Sequence, residues 1–186
     1  MASFDTIHDA TDHTGITGVD GLASGTSFPG SPANNDLFHR TDLDRLYYYD
    51  GTRWLSLQEF SVTGNGYGTI TANSSTAVAV WRGAPTSPAT DMWLIDLTAS
   101  TFVAATNSGA HYWIWQLEYR DAANTATSIV TFNSSAHTQA NWVMTTTAIG
   151  AVLNTAARTL AVTVTQNGTP GSAHQMFNLR YRLIAT

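Results

Sequence analysis

Alternation of apolar and polar side chains with a period of two is the feature that most constrains residues 61–186. Around 113–120 every second residue is large and apolar, and Gln116, Glu118 and Arg120 between them are polar. The same alternation recurs around 161–165 and 177–183. A period of two is typical of a β-strand with one buried face and one wetter face. The positions predicted to be buried are Trp113, Trp115, Leu117, Tyr119, Val162, Val164, Phe177, Leu179, Tyr181 and Leu183.

Candidate strands follow one another at short intervals through this part of the chain. They span 67–71, 77–82, 92–103, 111–120, 128–132, 142–148, 159–165 and 176–184. Residues that favour turns separate them, as at 65–66, 107–109 and 167–171. Many short strands without a convincing helix predict an all-β protein, and this arrangement predicts an antiparallel β-sandwich, most simply a jelly roll.

Two further segments precede this domain. Residues 1–35 are rich in Gly, Ser, Thr and Asp and keep neither strand nor helix periodicity, which predicts an extended attachment arm. Residues 36–60 predict a small aromatic β-hairpin connector, in which Asp50-Gly51 is a strong signal for a two-residue type I′ turn. The predicted organisation is therefore an arm over 1–35, a connector over 36–60 and a sandwich over 61–186.

Composition excludes several classes of function. Charged residues make up 11% of the 186 residues, against roughly 25% in an average soluble domain, and the net charge is −5. The acids are concentrated in the first 60 residues, so no basic face for nucleic acid is expected. There is no cysteine, and no apolar run is long enough to cross a membrane. Neither a secretion signal nor a cofactor motif is visible, so we expect no membrane insertion and no cofactor.

Two short segments resemble parts of bacteriophage virion proteins. Asp12-His13-Thr14-Gly15, followed by Gly18, resembles a "DHTG-x-x-G" element near the start of many phage tail-fibre proteins. Residues 35–55 are similar to a hairpin module of phage structural proteins with the pattern "F-x-R-T-D-L-x-x-L-Y-x-Y-D-G-T-x-W". Together the two segments cover about 30 residues of the sequence.

The resemblance implies a structural subunit of a tail fibre, head fibre or capsid decoration. It implies a homotrimer whose N-terminal part attaches to other virion proteins of the capsid or tail, and whose β-domain faces outward, with a host glycan or receptor as a further partner. Such a protein is assembled in the host cytoplasm and released by lysis. The residues expected to contact a partner are Asp12, His13, Gly15, Gly18, Arg40, Tyr48 and Trp54.

Catalytic and metal-binding interpretations are weaker. His8, Asp9, Asp12 and His13 contain metal-ligand types, but no regular element fixes their geometry, so no metal is expected. The sandwich has few acids for glycoside hydrolysis: Asp91, Asp96, Glu118 and Asp121. By strand parity Asp91 and Asp96 would lie on opposite faces, and Glu118 would lie on a wetter face. We therefore expect no enzymatic activity, and a polysaccharide-degrading spike that uses Glu118 is an alternative.

Aromatic residues leave a further alternative open. Tryptophans and tyrosines stack on sugar rings, but they also dominate cores and interfaces. A carbohydrate-binding β-sandwich module of a cellular protein would present a row of exposed rings on one sheet. Tyr47, Tyr48 and Tyr49 cannot share one face, so at least one of them must look outward. For receptor binding, the loops near 85–90, 104–110 and 133–140 are the expected distal sites.

Overall fold

The chain folds entirely into β-strands where its structure is described. The computed structural model describes residues 22–70, 77–82, 91–153 and 159–185, of which 65–70 and 77–82 are described as backbone only. These residues include no helix, and hence none that could cross a membrane. They divide into an N-terminal unit that ends at Leu57 and a sandwich domain over 58–185. The predicted all-β class is confirmed.

The N-terminal unit is a small four-stranded sheet with an aromatic core. Its strands are β1 (Ala23–Gly25), β2 (Leu37–Arg40), β3 (Arg45–Tyr49) and β4 (Trp54–Ser56). β1 runs parallel to β2, and the other neighbours are antiparallel. Part of the segment predicted as an extended arm thus belongs to this sheet, because β1 pairs with β2 and the Phe28 ring packs on Trp54.

The turn between β3 and β4 differs from the predicted type I′ turn. A type I′ turn needs a positive φ at both central residues, but Gly51 has a φ of 90° and Asp50 is not in that region. Four residues connect the strands, and the Asp50 side chain accounts for this. Its Oδ1 accepts hydrogen bonds from the backbone N–H groups of Thr52 and Arg53, each at 2.8 Å. Such side-chain bonds stabilise a longer turn.

The sandwich domain consists of eight strands in two four-stranded sheets. The strands are β5 (Phe60–Ile70), β6 (Ala77–Arg82), β7 (Asp91–Val103), β8 (Tyr112–Arg120), β9 (Ala126–Asn133), β10 (Trp142–Leu153), β11 (Thr159–Asn167) and β12 (Ala173–Ala185). One sheet has the order β5-β12-β7-β10, and the other has the order β6-β11-β8-β9. In each sheet, strands from the first half of the domain (β5 to β8) alternate with strands from the second half (β9 to β12), which is the jelly-roll order. The predicted jelly roll is confirmed.

The core lies between the two sheets and contains the positions that the alternation predicted. Trp113 and Trp115 of β8 are fully buried, as are Val162 and Val164 of β11. Facing them from the other sheet is Phe177, on β12. Because interdigitated aromatic and branched side chains fill this layer, the domain is held together by a packed interior.

A polar contact also crosses the core. The indole N–H of Trp115 donates to Oε1 of Gln175 at 2.9 Å, and both side chains are buried. The two residues lie on different sheets, β8 and β12. A buried indole N–H needs a hydrogen-bond partner, so this contact fixes how β8 and β12 face each other.

A β-bulge changes which face of β7 is buried. Asp96 and Leu94 pair with consecutive residues of β12, so Ile95 is one residue too many in β7. Before the bulge Met92 and Leu94 are buried, and after it Leu97 and the odd-numbered residues that follow are buried. An extra residue in one strand shifts the alternation by one position. The sequence gives no direct sign of this shift.

The turn predicted at 65–66 is not formed. β5 runs through it as a strand of eleven residues, in which Asn65 pairs with Met176 and Gly64 pairs with Phe177. The long partner strand β12 supplies backbone partners along this stretch, and the absence of a side chain at Gly64 leaves room beside Phe177.

Loops at one end of the sandwich domain are closely joined through Gly171. Its N–H donates to the carbonyl of Ala105 at 2.9 Å, and its own carbonyl accepts the indole N–H of Trp113 at 2.7 Å. A Cβ atom at this position would lie 2.1 Å from the carbonyl oxygen of Ala105. Backbone atoms on that side cannot move away without breaking these bonds, so only glycine fits.

We predict that Gly171→Ala destabilises the protein by about 3 kcal/mol, because the new methyl group collides with backbone. For a chain of this size that loss lowers the melting temperature by roughly 6–12 °C. Thermal unfolding followed by circular dichroism measures it. Gly109→Ala is the matched control in a neighbouring loop, since a Cβ there meets no atom within 4 Å. Equal melting temperatures for the two variants would contradict the prediction.

Candidate interaction surface

The predicted contact residues of the arm lie outside the described part of the chain. These are Asp12, His13, Gly15 and Gly18, together with His8 and Asp9 of the weighed metal site. Within the described residues, no group of three or more His, Asp or Glu side chains could hold a metal ion.

Arg40 is held within the N-terminal unit. Its Nε and Nη2 each donate to the Asp42 carboxylate at 2.9 Å, and its guanidinium lies 4.7 Å above the centre of the Phe28 ring. The hydrogen bond from Arg40 lowers the pKa of the Asp42 carboxyl. A planar guanidinium matches a carboxylate and stacks on aromatic rings, so Arg40 here organises its own unit.

The two aromatic residues predicted to contact a partner have different environments. Trp54 is 6% exposed and stacks on Phe28, with ring centres 4.6 Å apart, so it is a core residue of the N-terminal unit and not a surface contact. Tyr47 is fully buried beside the same ring. Tyr48 is half-buried and pairs across strands with Leu37, which is 48% exposed. Tyr48 is thus the predicted aromatic contact that stays on a partly open face.

The outer face of the sheet β5-β12-β7-β10 carries a row of aromatic rings. We use "outer face" for the side that points away from the core. Trp142, Phe102 and His174 occupy paired positions on β10, β7 and β12. The Trp142 and Phe102 ring centres are 5.7 Å apart, and those of Phe102 and His174 are 6.1 Å apart. Trp142 is 58% exposed, so this row reaches the surface.

The next two rows of the outer face are uncharged. Met144 and Met176 lie on either side of Ser100, and the two methionines are 73% and 49% exposed. In the following row the hydroxyls of Thr98 and Thr146 are 3.0 Å apart. Exposed tryptophan and methionine side chains at the centre of a surface are typical of protein interfaces.

Four charged groups on this face neutralise one another. Arg180 donates from Nε to Asp96 at 3.0 Å, with a second bond from Nη2, and from Nη1 to Glu59 at 3.1 Å. Arg182 donates to the other oxygen of Glu59 at 2.7 Å. The hydrogen bond to Asp96 raises the pKa of Arg180. Two acids and two arginines thus form one network that leaves no net charge.

Strand β10 is an edge of the sheet with few of the usual protective features. Among the described segments, only β7 pairs with it within the sheet. Its twelve residues include no charged residue and no proline. Three of the four large apolar side chains that the described part of the sandwich domain leaves exposed lie on this strand, namely Trp142, Met144 and Val152. Edge strands usually carry Lys, Pro or charge to prevent pairing with other chains.

The predicted distal loops near 104–110 and 133–140 contact each other, while the loop near 85–90 lies outside the described residues. The Asn107 amide donates to the carbonyls of Ser134 and His137 at 2.6 and 2.7 Å. Its oxygen accepts the Ser134 hydroxyl at 2.7 Å. A single side chain therefore fixes two loops together.

His137 anchors the second of these loops to the sheet. Its Nδ1 lies 2.9 Å from the hydroxyl of Thr101 on β7, and its Nε2 lies 3.3 Å from the hydroxyl of Thr145 on β10. Burial lowers the pKa of His137. A neutral imidazole both donates and accepts a hydrogen bond, which matches two hydroxyl partners.

Three of the acids considered for catalysis are held in ion pairs or lie on a different face of the sheet from the one predicted. Glu118 contacts the side chains of Gln116 and Arg120, with which it was predicted to share a face, but it is 3% exposed and its Oε1 lies 2.7 Å from Nη2 of Arg120, so it is not on an open surface. Asp91 and Asp96 were predicted on opposite faces, but the bulge at Ile95 puts both on the outer face. Asp96 is in turn held by Arg180.

Sequence reasoning missed the importance of Met144 and Met176. They are ordinary methionines in the sequence, and their exposure follows from the position of β10 at the sheet edge. The missed signal was the uncharged stretch 142–153 itself, since so long a run without charge is rare on a surface strand.

Comparison with protein-family models gives no match, and comparison with curated proteins gives none either. Among solved structures, the infectious bursal disease virus VP2 subviral particle has a TM-score of 0.42 at 9% identity, over 84% of this chain and 40% of that chain. The structure of the Gx strain of this virus has a TM-score of 0.42 at 8% identity, over 84% of this chain and 40% of that chain. A third structure contains the CBM22-1–GH10 modules of Clostridium thermocellum endo-1,4-β-D-xylanase 10B, complexed with xylohexaose. It has a TM-score of 0.33 at 12% identity, over 71% of this chain and 25% of that chain.

The chain thus spans less than half the length of these proteins. Likenesses at this level of similarity carry no functional assignment.

We predict that acidification destabilises the protein through His137. Burial depresses the pKa of His137 in the folded protein below the ordinary value of 6.5. As the pH falls, the same histidine in the unfolded chain therefore binds a proton first. The contribution of neutral His137 to the free energy of unfolding is complete above about pH 6.5 and is lost as the pH falls below that value. His137→Gln should therefore show a smaller difference in melting temperature between pH 7.5 and pH 5.0. An unchanged difference would show that another group is responsible.

Proposed function

We propose that this chain is a structural subunit of a bacteriophage particle, of the fibre, spike or capsid-decoration kind. It attaches through its N-terminal part to the capsid or tail and displays the jelly-roll domain outward. It works by adhesion over buried area, without catalysis and without a cofactor. The observation that carries this proposal is the surface of β10, which is apolar and uncharged where a monomeric protein would be protected.

The N-terminal unit supports the attachment role. Its described residues leave four leucines exposed, at 41–48%: Leu22, Leu37, Leu43 and Leu57. Several exposed apolar side chains on a unit of this size favour a protein partner. The resemblance of residues 12–18 to an element near the start of phage tail-fibre proteins, and of residues 35–55 to a hairpin module of phage structural proteins, agrees with this role.

The polar groups of the sandwich support a role without catalysis. Glu118 and Asp96 are buried and paired with arginines, and Glu59, which Arg180 joins to Asp96, is bound by both Arg180 and Arg182. Glycoside hydrolysis needs two carboxyl groups facing one sugar, with one of them free to exchange a proton. A saturated ion pair cannot supply that group, so adhesion is the better interpretation.

Binding to particles tests the proposal. Particles that lack this protein should bind the purified full-length chain in a co-sedimentation assay. Leu37→Glu should reduce the bound fraction at least about tenfold, which corresponds to about 1.4 kcal/mol, because a charge enters the apolar contact. Leu37 is 48% exposed, so the variant should fold normally. Thr127→Glu, at an exposed position of β9 in the other sheet of the sandwich domain, is the matched control and should still bind. Absence of wild-type binding would refute the attachment role.

A carbohydrate-binding module is the second candidate, and the ring row of Trp142, Phe102 and His174 favours it. The geometry of that row argues against a flat sugar platform. The Trp142 and Phe102 planes are inclined by 44°, and those of Phe102 and His174 by 48°. Tilted rings present edges as well as faces, which suits the irregular side chains of a protein partner better than a sugar ring.

Calorimetric titration separates the two candidates. Under the proposal, full-length protein shows no saturable binding of xylohexaose, cellohexaose or a capsular oligosaccharide. A carbohydrate-binding module would bind one of these probes, and Trp142→Ala would abolish that binding because the exposed ring is lost. If the protein binds one of these oligosaccharides and Trp142→Ala abolishes that binding, the second candidate replaces the structural role.

A further inference from the structure

We propose that β10 is a self-association edge, along which a second copy of this chain pairs antiparallel with its own β10. The inference rests on the proposed function, and it specifies the surface and the partner. An antiparallel pair of identical strands is related by a twofold axis, so the same residues meet from both sides. The two sheets would then continue as one across the contact.

The regular part of β10 sets the length of this pairing. Residues 142–148 pair with β7 without interruption, and a bulge follows between Ala148 and Ala151, where Gly150 has a φ of 62°. A bulge bends a strand and interrupts its ladder. The edge available for straight pairing is therefore the seven residues from Trp142 to Ala148.

A second copy is the occupant that this segment fits. Around a twofold axis at Thr145, Met144 lies opposite Thr146 of the second copy, and Trp142 lies opposite Ala148. On the outer face each large side chain thus meets a smaller one, and no pair of bulky residues collides. Directly opposed residues interact strongly in antiparallel strands, so this large-to-small order favours the pairing.

The absence of charge on β10 also favours a second copy of this chain as its partner. A twofold contact brings like residues close together, so any charge on the edge would repel its own copy. β10 has no charged residue. The rows of Trp142, Met144 and Thr146 contain only His174 as an ionisable side chain, and the row of Ala148 continues into the ion pair of Asp96 and Arg180. The network of Glu59, Asp96, Arg180 and Arg182 is neutral in itself. A differently charged partner would find no complementary charge on this edge.

A twofold contact has a consequence for the size of the assembly. It closes after two copies, so complexes formed through β10 contain even numbers of chains. The homotrimer implied by the phage resemblance would need a separate contact. A measured mass thus reports on the contact directly.

Light scattering on the full-length chain tests the inference. The wild type should have at least twice the chain mass of 20.0 kDa, in an even multiple. Met144→Glu places two like charges beside the twofold axis and should weaken association at least about tenfold. The side chain is 73% exposed, so circular dichroism should show unchanged folding.

Met176→Glu is the matched control. It lies in the same cross-strand row and on the same face, but on the interior strand β12. It should leave the mass unchanged. Dissociation of both variants would show that the outer faces pack together, and would overturn edge pairing.

Hydrogen exchange provides a second measurement. Amides within 142–148 should be protected in the wild type at high concentration and should exchange faster in Met144→Glu. If neither variant dissociates, assembly uses another surface and the edge inference fails, while particle binding still decides the proposed function. A monomeric wild type overturns the inference, and loss of particle binding alone overturns only the attachment role.

Discussion

Two buried tryptophans on β8 fix the relation between the two sheets of the sandwich. Trp113 donates to the carbonyl of Gly171 in the loop before β12, and Trp115 donates to Gln175 on β12. Each indole buries a large apolar surface and also requires one partner for its N–H group. Because both partners lie in or beside one strand, the separation of the sheets and the path of the β11–β12 loop are determined together. The close approach of Gly171 to Ala105 follows from this arrangement.

A core closed in this way leaves the outer face and the edge of the sheet as the surfaces for the proposed contacts. The interior is filled by side chains, and the loops at one end are joined through Asn107 and His137. Surfaces held by such a scaffold keep their shape without ordering on binding, which reduces the entropy lost on association. The outer face around Trp142 and Met144 therefore presents its apolar side chains in fixed positions, which suits the proposed assembly contact.

The strands and the buried face of the sandwich were predictable, because alternation is a local property of sequence. Trp113, Trp115, Phe177 and Leu179 are in the core where a period of two puts them. The bulge at Ile95, the passage of β5 through Asn65, and the burial of Glu118 and Trp54 were not predictable. Each depends on a strand or side chain distant in sequence, such as β12 for Ile95. The edge position of β10, and hence the candidate surface, is likewise a property of strand order.

The distribution of polar groups explains how an exposed apolar strand is compatible with a folded domain. Charged residues are scarce, and those on the outer face are consumed in pairs, as Arg180 and Asp96 are. Hydroxyl groups, such as the exposed Thr98 and Thr146 pair, therefore supply polar surface on this face that carries no charge. Hydroxyls lose less hydration free energy than ions when they are covered by another chain. A surface composed of threonine, methionine and tryptophan is thus one that water tolerates and a second subunit can cover.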